Sequence, residues 1–248
     1  MNALDYLLFG IYPYICMTVF LVGSLIRFDR DQYTWKSDSS ELLRRGQLRL
    51  ANNLFHVGVL FLFFGHLFGM LTPHFVYAPF ISTGGKQLLA MVSGGIAGLL
   101  GFVGLTMLLH RRLFDARIRA TSKPGDILVL VLLWLQLLLG LATIPLSAQH
   151  LDGSMMLVLA DWAQRIVTFR AGAVSLLVDV GWVFKAHMFL GMSIFLVFPF
   201  TRLVHIWSGF ASIFYLLRSP QLVRSRRLDP ALDRLRRNPS GATRAERV

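Results

Sequence analysis

The chain has 248 residues, 55% of them hydrophobic and only 15% charged, with a mean hydropathy of +0.59. Soluble domains carry about 25% charged residues, so this composition excludes a soluble globular fold and predicts a membrane protein. The formal charge is +12, and Cys16 is the single cysteine, which excludes a disulfide framework, a zinc ribbon and an iron–sulfur cluster ligated by this chain alone.

A helix crossing the hydrocarbon core needs about 20 predominantly apolar residues at ~1.5 Å rise each. Five segments qualify. The first, 6–26, is uncharged throughout, and no basic stretch precedes it, so it reads as a span rather than a cleaved leader. The second, 53–71, lies inside an uncharged run, and the third covers 87–109. The fourth covers 127–148. Residues 155–170 mix apolar positions with Asp161, Gln164 and Arg165, the pattern of an amphipathic helix lying on the membrane surface. The fifth span covers 183–204. The expected fold is an all-α membrane bundle of five transmembrane helices over residues 1–225. An Arg-rich, partly disordered tail over 226–248 follows it.

Lys and Arg set the orientation. The connections after spans 1, 3 and 5 carry 21 of the 25 cationic residues, leaving only Lys86, Arg165, Arg170 and Lys185 on the opposite side. The positive-inside rule then places the amino terminus outside and the carboxyl terminus in the cytoplasm. The same distribution removes nucleic acid as a partner, because the basic residues flank spans, where they meet anionic lipid headgroups.

Of seven histidines, His74, His110 and His150 fall at span ends and read as interfacial polar residues. The other four lie on two helices that run in opposite directions. Depth pairs His56 with His205 near the cytoplasmic side and His66 with His187 near the outer side. A polar side chain at membrane depth is costly unless paired or used. A single such histidine is explained by a hydrogen bond to a backbone carbonyl, but two depth-matched pairs point to two bis-His haems of b type. Gly58, Gly65, Gly69 and Gly191 accompany these histidines and offer close backbone approach for a flat macrocycle. Gly94 and Gly98 on span 3 fit plain helix packing equally well. On ideal helices the ten residues from His56 to His66 advance about 15 Å and the eighteen from His187 to His205 about 27 Å. Level pairs therefore require tilt plus a kink at Pro199. Asp and Glu are absent from the interiors of spans 2 to 5, which disfavours a carboxylate-bearing metal site.

Several stretches, in order, carry a resemblance: Leu8-Phe-Gly-Ile-Tyr-Pro-Tyr14, Leu54-Phe-His-Val-Gly58, Phe64-Gly-His66, Leu71-Thr-Pro-His74, His110-Arg-Arg-Leu-Phe114, Thr143-Ile-Pro145, Ala148-Gln-His-Leu-Asp-Gly153 and Phe198-Pro-Phe-Thr-Arg-Leu-Val-His205. Over residues 1–225 the chain resembles the gamma subunit of membrane-bound respiratory nitrate reductase, a dihaem cytochrome b. The resemblance implies that His56 and His205 ligate the inner haem and His66 and His187 the outer one. It also implies quinol oxidation beside the outer haem, at Gly65, His66 and Lys86, with Arg112 and Arg202 placed for inner-haem propionates. Without it, Lys86 reads as an interfacial lysine snorkelling to headgroups. The implied partners are an iron–sulfur beta subunit and a molybdenum-containing alpha subunit on the cytoplasmic side, where nitrate becomes nitrite. The residues alone leave open a dihaem anchor of another reductase, of sulfur or heterodisulfide type, and a haem-free anchor or transporter.

Overall fold

The structure, a computed structural model, describes residues 3–31, 35 and 48–208. The expected boundary at residue 225 and the Arg-rich tail lie outside the described residues. Among the described residues there is no strand, and five helices are long and apolar enough to cross a membrane: Ala3–Arg30, Leu48–Leu71, Thr83–Phe114, Pro124–Ser147 and Trp182–Phe200. These are the first to fifth spans, and each overlaps its expected segment. All five begin earlier than hydropathy indicates, by one to five residues, and at two of them the start is set locally. Ser82 accepts the Gly85 N–H at the start of the third span, and Pro124 opens the fourth with a pre-set backbone angle. Large apolar side chains such as Leu25, Val57, Phe68, Leu89 and Ile96 are exposed on the outer faces of the bundle. That inversion suits a hydrocarbon solvent, in which helices satisfy their own backbone polar groups.

Neighbouring spans pack in the order second, third, fourth, fifth, first. The second and third approach most closely. A Cβ on Gly58 would stand 2.5 Å from the Ala97 carbonyl oxygen, and one on Gly104 would collide with the Phe55 nitrogen. Gly58 therefore serves helix packing and not the approach of a macrocycle, a correction to the sequence reading. Gly65 and Gly69 do face open space, with nothing within 4 Å of a notional Cβ. On the third span Gly98 accommodates Leu141 of the fourth, while Gly94 is also open.

The first span contains one widened turn over Leu7–Ile11, closed by the Tyr12 N–H donating to the Leu7 carbonyl five residues back. The amphipathic helix, Ser154–Val167, lies against this end of the bundle. Its Trp162 Nε1–H donates to the Phe9 carbonyl at 3.1 Å, and Trp162 and Ile166 pack with Phe9, Leu177 and Phe184. Gln164 Nε2–H donates to the Met70 and Thr72 carbonyls, oxygens that the end of the second span leaves without helical donors.

The fifth span departs most from expectation. The α-helix ends at Val197, tight turns follow over Phe198–Phe200 and Arg202–Val204, and Thr201 between them is extended (φ −123°, ψ 178°). Pro199 supplies no N–H and cannot continue the ladder, so the expected kink is a full break. Arg27 of the first span meets the freed carbonyls, its Nη1 donating to Pro199 O at 2.6 Å and Thr201 O at 2.9 Å. Beyond the break, Trp207 stacks on Phe20 at 5.3 Å and donates to Ser24 Oγ at 3.2 Å.

Candidate functional site

Because the second and fifth spans run antiparallel and the fifth breaks at Pro199, all four membrane histidines meet in pairs. The rings of His66 and His187 lie 6.1 Å apart, centre to centre, with 43° between their planes. Those of His56 and His205 lie 6.5 Å apart, at 68°. The straight-helix mismatch of about 12 Å does not arise, since the chain leaves the helical path seven residues before His205.

Hydrogen bonds fix the tautomers of three rings. His56 Nδ1–H donates to Asn52 O at 2.8 Å, His66 Nδ1–H to Leu62 O at 2.7 Å and His205 Nδ1–H to Arg202 O at 2.6 Å. A carbonyl only accepts, so in each ring the proton is on Nδ1 and the lone pair is on Nε2. His187 differs. Its Nε2 lies 3.4 Å from Gln136 Nε2 of the fourth span, and its Nδ1 is buried without a hydrogen-bond partner.

This donor set fits haem. A metal about 2 Å from one nitrogen of each ring separates two imidazoles by roughly the observed spacings once half a ring width is added on each side. Among the described residues no cluster of three or more His, Cys, Asp or Glu is placed to hold a metal ion. Two-ligand sites suit an iron that brings four nitrogens of its own. The open space beside Gly65 and Gly69 flanks His66, where a flat macrocycle needs room.

Lys86, in the first turn of the third span, stands at the His66–His187 end. Its Nζ is buried without a hydrogen-bond partner and lies 3.6 Å over the centre of the Tyr77 ring. This is not the geometry of a lysine snorkelling into headgroups. Burial pushes the Tyr77 phenol above its ordinary range, so at neutral pH the ring beneath the ammonium carries no charge. The start of the third span is locked to the turn after the fourth: Gln87 Nε2–H donates to Ser147 O at 2.9 Å and His150 O at 2.7 Å. Gly153, in the left-handed region at φ +88°, brings that turn onto Thr83. The stretch 148–153 therefore braces the helix turn that presents Lys86.

At the other end Arg112 is buried and ion-paired with Asp126 at 3.0 Å, its Nη1 also donating to Ser122 Oγ at 3.1 Å. These contacts join the third and fourth spans. Arg202 stands three residues before His205, and its carbonyl holds that ring. The guanidinium of Arg112 is thus held by the fourth span, whereas the charge of Arg202 bears on the His205 ring.

Sequence reasoning missed four residues that shape the site: Arg27, Tyr77, Asp126 and Gln136. For Gln136 the signal was present, as a single amide in the apolar fourth span. Arg27 and Asp126 fall in span-flanking positions, where charge carries no sign of its partner. Tyr77 lies in a connection and acquires its role only from the third span's approach.

The nitrate reductase gamma subunit family model matches residues 5–226. The chain is 54% identical to the respiratory nitrate reductase 2 gamma chain of Escherichia coli over 224 residues, 90% of this chain and 98% of that one. It is 52% identical to the respiratory nitrate reductase 1 gamma chain of the same organism, over 91% of this chain and 100% of that one. It is 41% identical to the nitrate reductase gamma chain of Bacillus subtilis, over 89% and 98%. Match length and identity together settle kinship: the chain belongs to the nitrate reductase gamma subunit family.

Proposed function

We propose that this protein oxidises quinol in the membrane and conducts the electrons to an iron–sulfur beta subunit, which feeds a molybdenum-containing alpha subunit reducing nitrate. It is the membrane cytochrome b subunit of a respiratory nitrate reductase and a multi-pass protein of the bacterial inner membrane. The observation that carries the dihaem reading is the pair of imidazole pairs, 6.1 and 6.5 Å apart, on two antiparallel helices.

His66 and His187 would hold one haem b and His56 and His205 the other. Bound there, haem supplies a one-electron carrier at each depth, which conduction from a two-electron donor to an iron–sulfur partner requires. Three of the four ligands are pre-oriented, because an Nδ1–H bond to backbone fixes ring direction and tautomer before metal arrives. Quinol binds beside Gly65 and His66, with the buried Lys86 Nζ donating a hydrogen bond to a quinol oxygen. An ammonium with no hydrogen-bond partner of its own is available for that bond. Tyr77 steadies it through its ring face. The quinol protons leave on the outer side, the side the sparse basic residues mark. Delivering electrons inward opposes the membrane potential at about 2.3 kcal/mol per charge per 100 mV, so redox energy is conserved as that potential. Arg202, three residues before His205, and Arg112, at the inner end of the third span, are proposed to face the propionates of the inner haem. For Arg112 this adds to its bond with Asp126.

The deciding experiment is a reduced-minus-oxidised spectrum with pyridine haemochrome quantification on the purified protein. Two b haems per chain are expected. A colourless protein would return the four histidines to a structural role.

A further inference from the structure

His187 is the exception among the four membrane histidines. The other three donate Nδ1–H to a carbonyl of their own chain three or four residues back, whereas His187 Nδ1 is buried and without a hydrogen-bond partner. The polar side chain it meets is Gln136, whose Oε1 is likewise buried and without a partner. The two side chains thus meet across the fourth and fifth spans through their Nε2 nitrogens, 3.4 Å apart, which leaves a potential donor, His187 Nδ1, and an acceptor, Gln136 Oε1, both unmatched. The two backbones are shaped for the meeting. A Cβ on Gly140, one turn after Gln136, would stand 3.0 Å from His187 Cε1; one on Gly191, one turn after His187, would stand 3.1 Å from Gln136 Nε2. Each helix clears a glycine for the other's polar side chain. An amide inside an apolar span is costly unless paired.

We infer that Gln136 is the positioning residue of His187, its amide oxygen accepting the His187 Nδ1–H when Nε2 ligates haem iron. Bringing Nδ1 rather than Nε2 to Gln136 takes a reorientation of the imidazole about its side-chain bonds, and a half-turn of the amide about Cγ–Cδ puts Oε1 in place of the amide nitrogen. Neither moves the backbone, and the amide half-turn is an ordinary ambiguity of amide placement. The inference rests on the proposed haem between His66 and His187. Its consequence is an asymmetry. Three ligands have their hydrogen-bond partner set by backbone, while the fourth has a side-chain partner that substitution can strengthen or remove. A stronger acceptor raises the basicity of the ligand and favours ferric iron, lowering the potential of that haem.

The test is a spectroscopic redox titration of the purified holo-protein, in which the haem held by His66 and His187 is the one lost in His66→Ala. Gln136→Leu is expected to raise the midpoint of that haem and Gln136→Glu to lower it. Each shift should correspond to a change of up to tenfold in the reduction equilibrium, about 59 mV for one electron. The other haem should stay in place. A role in packing alone predicts no opposite signs. The inference is overturned if, with haem retained, neither variant moves that midpoint, both move it in the same direction, or both haems shift equally. Should Gln136→Leu fail to assemble, Gln136→Glu decides alone. A wild-type protein without haem would instead overturn the haem assignment.

Discussion

Arg27 of the first span reaches the break in the fifth, its Nη1 donating to the carbonyls of Pro199 at 2.6 Å and Thr201 at 2.9 Å. A cation 172 residues away in sequence thereby stabilises the irregular backbone that delivers His205 to His56. Broken helices within a membrane protein are tolerated where other groups meet the released carbonyls, and here one guanidinium meets two.

Arg27→Leu removes both bonds. Hydrogen bonds from charged groups contribute about 1.5–3 kcal/mol each, so a loss of several kcal/mol is expected at the break. The expected readout is selective: the haem held by His56 and His205 falls in occupancy while that of His66 and His187 is retained. Haem quantification on the purified variant checks it, and equal loss of both would place the role of Arg27 in general folding.

Replacing the histidines one at a time should separate the two sites. His66→Ala or His187→Ala is expected to remove one haem and abolish quinol oxidation while sparing most of the other. His56→Ala or His205→Ala should do the converse for haem. Visible spectra of the four variants give the answer, and loss of both haems in every variant would count against independent pairs.

Lys86→Ala is expected to lower quinol turnover at least tenfold with both haems retained, as measured by quinol-analogue kinetics. Tyr77→Leu should have a smaller effect in the same direction. A cation–π contact contributes about 0.5–2 kcal/mol, so a loss of about 1 kcal/mol, roughly fivefold, is expected. Unchanged kinetics in Lys86→Ala would make this lysine structural.

The Arg112–Asp126 pair is buried on both sides, with side-chain exposures of 10% and 8%. Breaking such a pair leaves one charge without its partner and costs about 3–5 kcal/mol. Asp126→Leu should therefore lower thermal stability in detergent by that amount. Arg112→Leu with Asp126→Leu should recover most of it, because no buried charge remains. A double variant as unstable as the single one would show that Arg112 has a further essential partner.

Composition and hydropathy were sufficient for the spans, since a helix in lipid must be both apolar and about 20 residues long, and both properties are local. The amphipathic helix was equally legible from Asp161, Gln164 and Arg165, polar positions three and four residues apart among apolar ones. The histidine pairs could be read by depth alone, because two antiparallel helices convert sequence position into height. The role of Gly58 could not be read this way. Glycines that clear space for a neighbouring helix and glycines that face open space look alike in a sequence, and only packing distinguishes Gly58 from Gly65.

What the sequence determined by itself was thus the helical, membrane-embedded bundle, the placing of its basic residues and the four histidines at two heights. All of these follow from residue type and position along one axis. What only the tertiary structure decided was lateral: which helix faces which, how completely the fifth span breaks at Pro199, that Arg27 sustains the break, and that Gln136 meets His187. Such contacts join residues tens to more than a hundred positions apart, and side chains that are unremarkable in their own helix gain meaning only from the one packed against it.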